Sequence, residues 1–419
     1  MTRSGGIRAA LLALAVVAPL GLTACTGGEA KGPRPEFVEK GSASASAEPP
    51  APAAPVAAGT SLTVTPPTGA KDLPVSTEIA AKVDDGKLGD VKLSEVGGGA
   101  VRGRLRDDAS AWVPDKPLKY GKQYEATVTA TSGSGQPATA TTTFTTMKKP
   151  SSVTGSGLYL FDGNTYGVAM PVVVEFVPGV AKKDRAGVQK RMFVTTDPPQ
   201  PGTWHWVGDG SQAYYRAPAF WKPDTKINVR IAIEGHPMGK GRFGNLDRRA
   251  SVTIGRKLEV KVDNASKQLS VHEGGRVTKT MPVSLGKPKT PSSSGTMVVM
   301  EKKEKTVFDT FAELGPREGY RTDIDFAQRL TWGGEFMHAA SWSVGQQGRS
   351  NVSHGCVNLS PANARWLFGK TMVGDPVTVK GTERRLAAGN GWTAWDMSWE
   401  EFAKGSALPV PDTLRATEQ

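Results

Sequence analysis

From Leu258 onward apolar and polar positions alternate with a period of two. Leu258, Val260 and Val262 take every second place, Asp263-Asn264-Ala265 turns the chain, Leu269 and Val271 alternate again, and Glu273-Gly274-Gly275 turns it before Met281-Pro282-Val283-Ser284-Leu285. Half-buried strands carry this signature, so the segment predicts a β-meander. The same period follows two similar phrases upstream. Trp112-Val113-Pro114-Asp115-Lys116-Pro117-Leu118 leads into Tyr124-Glu125-Ala126-Thr127-Val128-Thr129, and Trp221-Lys222-Pro223-Asp224-Thr225-Lys226 leads into Ile227-Asn228-Val229-Arg230-Ile231-Ala232. A turn repeated 109 residues on predicts two related β-sandwich modules, 61–147 and 148–255, ahead of one larger sandwich. Helix signals are few and short. Ser360-Pro361 pairs an N-cap residue with Pro at the first helical position, followed by Ala362, Trp366 and Leu367 on one face before Gly369, and a last strand carries Val377 and Val379. Ser398-Trp399-Glu400-Glu401 is a capping-box pattern that Gly405 would end, and Trp392, Trp395, Trp399 and Phe402 are expected to pack back on the segment that begins at 256.

The first sixty residues carry neither period. Arg3 and Arg8 precede the apolar run Ala9 to Leu22, too short for a stop-transfer helix, so 1–24 predicts an export signal. It ends in Leu22-Thr23-Ala24-Cys25, which resembles a bacterial lipobox whose Cys is lipidated; a plain secretory peptide is the alternative. Residues 25–60 are rich in Gly, Ala, Ser and Pro and have too few large apolar groups for a core, which predicts a tether. Fully extended, it would reach on the order of 100 Å. The chain is thus expected to be anchored on the outer face of the membrane and to extend into the wall.

At 419 residues the chain exceeds one ordinary domain, and 38% hydrophobic with 22% charged residues excludes a polytopic membrane protein and a wholly disordered one. Forty-nine Gly and 30 Pro favour turns, and with the alternating stretches they predict a mainly β protein. The net charge of +12 calls for a polyanionic neighbour, which the export signal makes an acidic wall polymer or membrane; nucleic acid is not expected as a partner. There are two cysteines. Lipid accounts for Cys25, leaving Cys356 as a free thiol in an exported protein, where disulfides are the common use.

Two of the five histidines shortly precede that thiol. His338 is followed by fourteen residues and then Ser353-His354-Gly355-Cys356-Val357-Asn358. A thiol near its ordinary pKa is mostly protonated at neutral pH, so a nucleophilic Cys needs an imidazole to take its proton or to pair with the thiolate, and either His would serve. Gly355 leaves the approach to the thiol open and lets the N–H groups of Gly355 and Cys356 face one point, as an oxyanion requires. Asn358, two residues on in an extended segment, points to the side of Cys356. His338, His354 and Cys356 as zinc ligands are the alternative, without C-x-x-C or H-E-x-x-H spacing; no metal or cofactor is expected. His205, His236 and His272 are expected to be structural or solvent-facing.

The pattern His338-x14-Ser353-His354-Gly355-Cys356-Val357-Asn358 fixes six residue types across twenty-one positions and resembles the signature of L,D-transpeptidases with the YkuD catalytic domain. Trp342-Ser343-Val344-Gly345-Gln346-Gln347-Gly348 and Gly319-Tyr320-Arg321-Thr322-Asp323-Ile324-Asp325 are similar to stretches of those enzymes. The likeness extends to actinobacterial lipoproteins with two Ig-like domains and a Trp-containing C-terminal extension. It implies two Ig-like β-sandwiches, a YkuD-type β-sandwich with a few short helices at 256–380, and an extension at 381–419. It further implies that Cys356 is acylated, that His338 is its base, oriented through the backbone carbonyl of Ala339, and that His354, Gly355 and the backbone of Cys356 form the oxyanion region. Trp342, Ser353 and Asn358 would support or bind substrate, and Tyr320 would lie on a lid. Close relatives often have Ser-Ala-Pro where this chain has Ala339-Ala340-Ser341; a backbone carbonyl survives the Ser-to-Ala exchange. The implied activity is 3→3 cross-linking of peptidoglycan, from a donor tetrapeptide stem to an acceptor amine. An L,D-carboxypeptidase and a non-catalytic wall-binding scaffold are the alternatives. Residues of about 304–325, with Gly315-Pro316 and Gly319 as hinges, are expected to form a long mobile connection over the thiol. The segment from 255 onward is expected to carry the chemistry without the modules before it.

Overall fold

In the first module the strand Gln123–Thr131 buries Tyr124, Ala126, Val128 and Ala130 and leaves the residues between them toward solvent. It runs inside a five-stranded sheet ordered Ala70–Leu73, Pro137–Thr146, Gln123–Thr131, Lys87–Glu95, Ala100–Val101. The pairs Leu62–Thr65 with Ala80–Val83 and Gly103–Leu105 with Trp112–Pro114 add two short ribbons, and Val75, Ile79, Leu93, Trp112, Tyr124 and Phe144 fill its core. The computed structural model describes residues 62–83 and 86–415, so the export signal, Cys25 and the tether lie outside the described residues.

The second module has a six-stranded sheet containing Val172–Val177 and a four-stranded sheet containing Lys226–Ile231. Trp221 is 1% exposed in this core, whereas Trp112 belongs to the first, so the two similar turns lie against separate apolar clusters. Val172, Val173 and Val174 are all buried, which means that both faces of their strand are covered. The C-terminal extension covers the second face. Val173 pairs with Tyr214, and the Tyr214 hydroxyl donates to Gly391 O at 3.0 Å.

This placement widens the expectation for the tryptophans. Trp392, Ala394 and Phe402 are buried in a cluster made mostly of the second module and joined by Val298 and Met300 of the segment that begins at 256, with Trp395 and Trp399 packed against it, and Trp392 also meets Trp332 of that segment at 6.5 Å. The helix Trp399–Lys404 starts with the expected capping box: Ser398 Oγ accepts from Glu401 N–H at 3.1 Å and Glu401 Oε2 accepts from Ser398 N–H at 3.0 Å. A chain beginning near residue 255 would therefore expose an aromatic surface that the intact protein buries.

The third segment is two sheets face to face. One carries β1 (Leu258–Asp263), β2 (Gln268–Glu273), β3 (Arg276–Pro282), β4 (Ser293–Val298) and β9 (Pro376–Lys380) in the order β3-β2-β1-β9-β4, edged by Arg384–Arg385. The other carries β5 (Glu301–Asp309), β6 (Arg321–Arg329), β7 (Phe336–Ala339) and β8 (Val357–Leu359) in sequence order. Between them lie Val260, Leu269, Val271, Met297, Met337, Val357 and Leu359, joined by Ala364 and Leu367 of the helix Pro361–Lys370. That helix is capped by Ser360 Oγ as expected, but it runs through Gly369 to Lys370 and leaves Ala362 exposed. The connection expected to be irregular is a hairpin, in which β5 and β6 pair from Glu301↔Arg329 to Asp309↔Arg321. Within β6 Phe326 takes a φ of 56°, and at the tip a helix over Phe311–Glu318 is kinked at Gly315, whose φ of 73° favours glycine, just before Pro316.

The second module meets the third segment through its backbone. Gly167 N–H donates to Val373 O at 2.8 Å and Ala169 N–H to Gly374 O at 2.9 Å, and a Cβ on Gly167 would stand 2.3 Å from Asp375 N. Asp375 is fully buried there. Its Oδ2 accepts from Met372 N–H at 2.8 Å and faces Arg256 at 3.4 Å, while Oδ1 has no partner. Burial pushes its carboxyl up to about 7 against the pull of Met372 N–H, Arg256 and Lys302. Because the folded value lies above the unfolded 3.8, the carboxyl's stabilising contribution is full below that value and is lost as pH rises through about 7. In Asp375→Asn that dependence disappears. Stability of the variant relative to the wild type is expected to rise by about 1.4 kcal/mol per pH unit across the window and to level off above it. His236 and His338, which burial holds down to about 4, titrate with the opposite sign in both proteins, so the difference between them isolates Asp375. Urea titrations at several pH values measure it, and a flat difference would refute the assignment.

Candidate active site

Parallel pairing of β7 with β8 creates the site. Met337 lies opposite Val357, His338 opposite Asn358 and Ala339 opposite Leu359. Side chains alternate along a strand, so Asn358 and Cys356 point to one side of β8, the side of His338 on β7. Two residues eighteen positions apart are thereby made neighbours by register alone. They open on a cavity of about 340 Å³ lined by Tyr320, Thr322, His338, Trp342, Val352, Ser353, His354, Cys356 and Asn358. Seven of the residues singled out from the sequence meet there. A larger cleft of about 850 Å³ between the two sandwich modules is lined by neither cysteine nor histidine.

His338 is 3% exposed, and its Nδ1 stands 2.8 Å from Ala339 O, the carbonyl expected to orient it. A carbonyl only accepts, so Nδ1 carries the proton and Nε2 is left as the basic nitrogen. Phe308 meets the ring edge-on at 5.3 Å and Trp342 lies 6.0 Å away. Burial in this company holds the imidazole down to about 4, with the Ala339 carbonyl opposing.

Cys356 is half-buried at the cavity wall, and its Sγ is 3.7 Å from Gly334 O. Burial pushes the thiol up to about 12, Glu335 adds to the rise, and a backbone hydrogen bond at Phe336 and the Arg329 charge oppose it. The resting pair is therefore a neutral thiol beside a neutral imidazole. Of the two roles open to the histidine, this geometry suits proton acceptance during attack rather than a standing ion pair.

The loop before the thiol is bound into one shape. Ser353 Oγ accepts from Gly355 N–H at 3.1 Å and donates to Cys356 O at 2.6 Å, and Ser292 Oγ donates to Gly355 O at 2.7 Å. Gly355 has a φ of 129°, a conformation open to glycine and strained for other residues. These contacts alter the sequence reading in two ways. The Gly355 N–H, expected to face an oxyanion, is committed to Ser353, and the Ser353 hydroxyl, expected at the substrate, is committed to backbone. Asn358 donates from Nδ2 to Ser343 Oγ at 3.2 Å, and its buried Oδ1 has no partner. His354 lies with its ring 5.5 Å from Tyr320, whose phenol is raised by burial.

Sequence reasoning missed Phe308, Thr322, Val352, Lys287 and Glu335. Phe308 and Thr322 are cross-strand partners in the β5–β6 hairpin, and nothing local to either points at the thiol. Glu335 is 6% exposed and accepts from Ser293 N–H at 3.0 Å and Ser293 Oγ at 2.7 Å while pairing with Arg384, contacts that anchor the start of β7. Among the described residues no group of three or more His, Cys, Asp or Glu is arranged as metal ligands would be.

Comparison with known proteins separates an Ig-like region from the segment that carries the thiol. A family model for a bacterial Ig domain matches residues 70–237, and the YkuD model for the L,D-transpeptidase catalytic domain matches residues 257–379. L,D-transpeptidase 2 of Mycobacterium tuberculosis is 33% identical over 405 residues, which cover 96% of either chain. L,D-transpeptidase 5 of the same organism is 32% identical over 423 residues, 98% of this chain and 88% of that one. A solved L,D-transpeptidase in complex with imipenem is 32% identical, with a TM-score of 0.46, and covers 55% of this chain and 100% of that one. With relatives aligned along nearly its whole length, and the catalytic-domain model spanning every residue from His338 to Asn358, this chain belongs to the L,D-transpeptidase family.

Proposed function

We propose that the chain cross-links peptidoglycan by acyl transfer through Cys356. The observation that carries the reading is the β7–β8 register, which sets a thiol and a buried, oriented imidazole on one cavity wall. Sγ attacks the carbonyl between the L-centre of the diamino acid at stem position three and the D-Ala at position four, and its proton passes to His338 Nε2. The C–N bond breaks, His338 returns the proton to the departing amine, and D-Ala leaves a thioester on Cys356. A neighbouring stem's amine then attacks the thioester, gives a proton to His338 and frees the thiol, forming the 3→3 link. The oxyanion falls to the Cys356 N–H, since the Gly355 N–H is engaged elsewhere. No electron is transferred in either step, so the chemistry requires no cofactor.

Trp342, 59% exposed, and Tyr320 and Thr322 from the hairpin give the cavity walls on which a stem peptide would lie. Export by 1–24, lipidation at Cys25 and the tether would place this site in the wall, whose carboxylates and phosphates suit the net charge of +12. Incubation of the full chain with disaccharide-tetrapeptide, followed by mass spectrometry, tests the reading. Release of D-Ala with a 3→3 dimer is expected. Tripeptide without dimer would replace it with carboxypeptidase action, and intact tetrapeptide would return the chain to a wall-binding role.

A further inference from the structure

Three successive peptide units carry the thiol, and Ser353 fixes two of them. Its Oγ accepts at 3.1 Å from Gly355 N–H, which belongs to the unit before Gly355, and donates at 2.6 Å to Cys356 O, which belongs to the unit after Cys356. The unit between them joins the Gly355 carbonyl to the Cys356 N–H, and Ser292 holds it by the carbonyl, with Oγ 2.7 Å from Gly355 O. Ser292 stands just before β4, 1% exposed, and has no part in the chemistry described above. A hydroxyl has one proton and two lone pairs. Gly286 N–H donates to Ser292 Oγ at 3.0 Å, so the lone pairs are served and the single proton goes to Gly355 O. A Cβ on Gly286 would stand 2.5 Å from Ser292 N, so this close approach admits only glycine. The loop that presents Ser292 is clamped to the thiol segment: Ser353 N–H donates to Leu285 O at 3.0 Å and Lys287 N–H donates to Ser353 O at 2.9 Å.

In a trans peptide the C=O and N–H point in opposite directions. A carbonyl drawn toward Ser292 therefore turns the Cys356 N–H away from it. Gly355 makes such an anchor necessary. Its φ of 129° lies where other residues are strained, and the freedom that lets glycine adopt it also lets the following peptide swing. We propose that Ser292 is a positioning residue: by gripping the Gly355 carbonyl from within the fold it aims the Cys356 N–H at the oxygen of the acyl group on Cys356. Gly286 N–H, Ser292 O–H and the Gly355–Cys356 peptide form a chain of aligned dipoles in which each polarises the next, so the same contacts strengthen the N–H as a donor. A donor fixed before charge develops costs no reorganisation when it does, and that is what gives an oxyanion contact its strength. The proposal rests on the acyl-transfer reading, in which this N–H meets the oxyanion.

Two reactions of the same thiol, followed in the full chain and located on Cys356 by peptide mapping, test it. A carbapenem acylates Sγ through an oxyanion, whereas iodoacetamide alkylates it by displacement at a saturated carbon and forms none. Ser292→Ala is expected to slow acylation by at least about tenfold while alkylation keeps the wild-type rate. Loosened packing around the thiol would instead move both rates together. Ser292→Thr keeps the hydroxyl and should restore acylation, and Ser292→Val, equal to threonine in shape, should not. Gly355-Cys356 is the one Gly-Cys step in the chain, so carbon-13 at glycine carbonyls with nitrogen-15 at cysteine picks out this amide. Its proton is expected to move downfield on acylation in the wild type, and less in Ser292→Ala. Equal acylation rates in wild type and Ser292→Ala, or acylation and alkylation that fall together, would overturn the proposal and leave the transpeptidase reading standing. Should no variant at 292 fold, the wild-type amide decides, and a proton that does not move on acylation overturns the proposal. A wild type that is alkylated at Cys356 but takes up neither carbapenem nor tetrapeptide defeats the acyl-transfer reading and the proposal with it.

Discussion

Cys356→Ala is expected to abolish both D-Ala release and covalent capture of a carbapenem, while His338→Ala slows capture by about 10²- to 10⁴-fold. A carbapenem presents a strained amide carbonyl to the nucleophile, so intact mass should rise by one drug equivalent, with peptide mapping placing it on Cys356. The two substitutions separate attack from proton transfer. Without Sγ there is nothing to acylate; without the imidazole the thiol, pushed up to about 12, must lose its proton to water. The pH profile follows from the same environment. The competent form has a neutral imidazole and a protonated thiol, so kcat/KM for acylation should hold level through neutral pH and fall on the acid side near the His338 value of about 4. An acid limb near 6.5, or an adduct that persists in Cys356→Ala, would contradict the site described above.

The second large effect concerns Arg216. Its guanidinium is buried in the second module, with the residue 2% exposed, and donates to the carbonyls of Ala394, Met397 and Ser398 in the extension at 2.9, 2.9 and 3.2 Å, and to those of Ala217 and Pro218 at 3.2 Å. Phe402, Trp395 and Trp399 surround it with ring centroids 4.4, 4.5 and 5.3 Å away. Burial lowers its pKa only to about 10, so it stays charged at neutral pH. Arg216→Ala would leave buried carbonyls without their donor and open a gap among three rings. A loss of about 3–5 kcal/mol is expected, read as a lower urea midpoint. Arg216→Lys, with a charge but no planar fork, should recover only part of it. Ending the chain at 380 removes Trp392, Ala394 and Phe402 from the same core and should cost cooperative unfolding of the second module. An unchanged midpoint in Arg216→Ala would show that the extension is held by its rings alone.

Much of the architecture was legible because its signals are local. Alternation names the buried face of a strand, and Tyr124, Ala126 and Val128, or Ile227, Val229 and Ile231, are buried as their spacing requires. Ser360 and Ser398 cap helices for reasons contained within four residues of each. The hairpin was missed because Glu301–Asp309, with Lys302, Lys303 and Lys305 among its residues, buries no side chain fully and lacks the apolar contrast that marks a strand. Its pairing with β6 is visible only once both are folded.

The sequence by itself determined which residue types stand around the thiol, because cysteine, histidine and glycine at fixed spacing limit the chemistry to a few readings. It also determined which faces are apolar, since side-chain direction follows from the strand period. Tertiary structure decided partners and charge states. An apolar stripe does not name the surface that covers it, so the tryptophans of the extension settled mostly on the second module, where Arg216 and the outer face of the Val172–Val177 strand offered both charge and apolar area. A histidine's protonation depends on what excludes water from it, and Phe308 and Trp342 reach His338 only through the hairpin and the turn after β7. Lys287 and His354, sixty-seven residues apart, meet because a clamped loop brings an ammonium within 2.9 Å of an imidazole, a contact set by packing and by no local pattern.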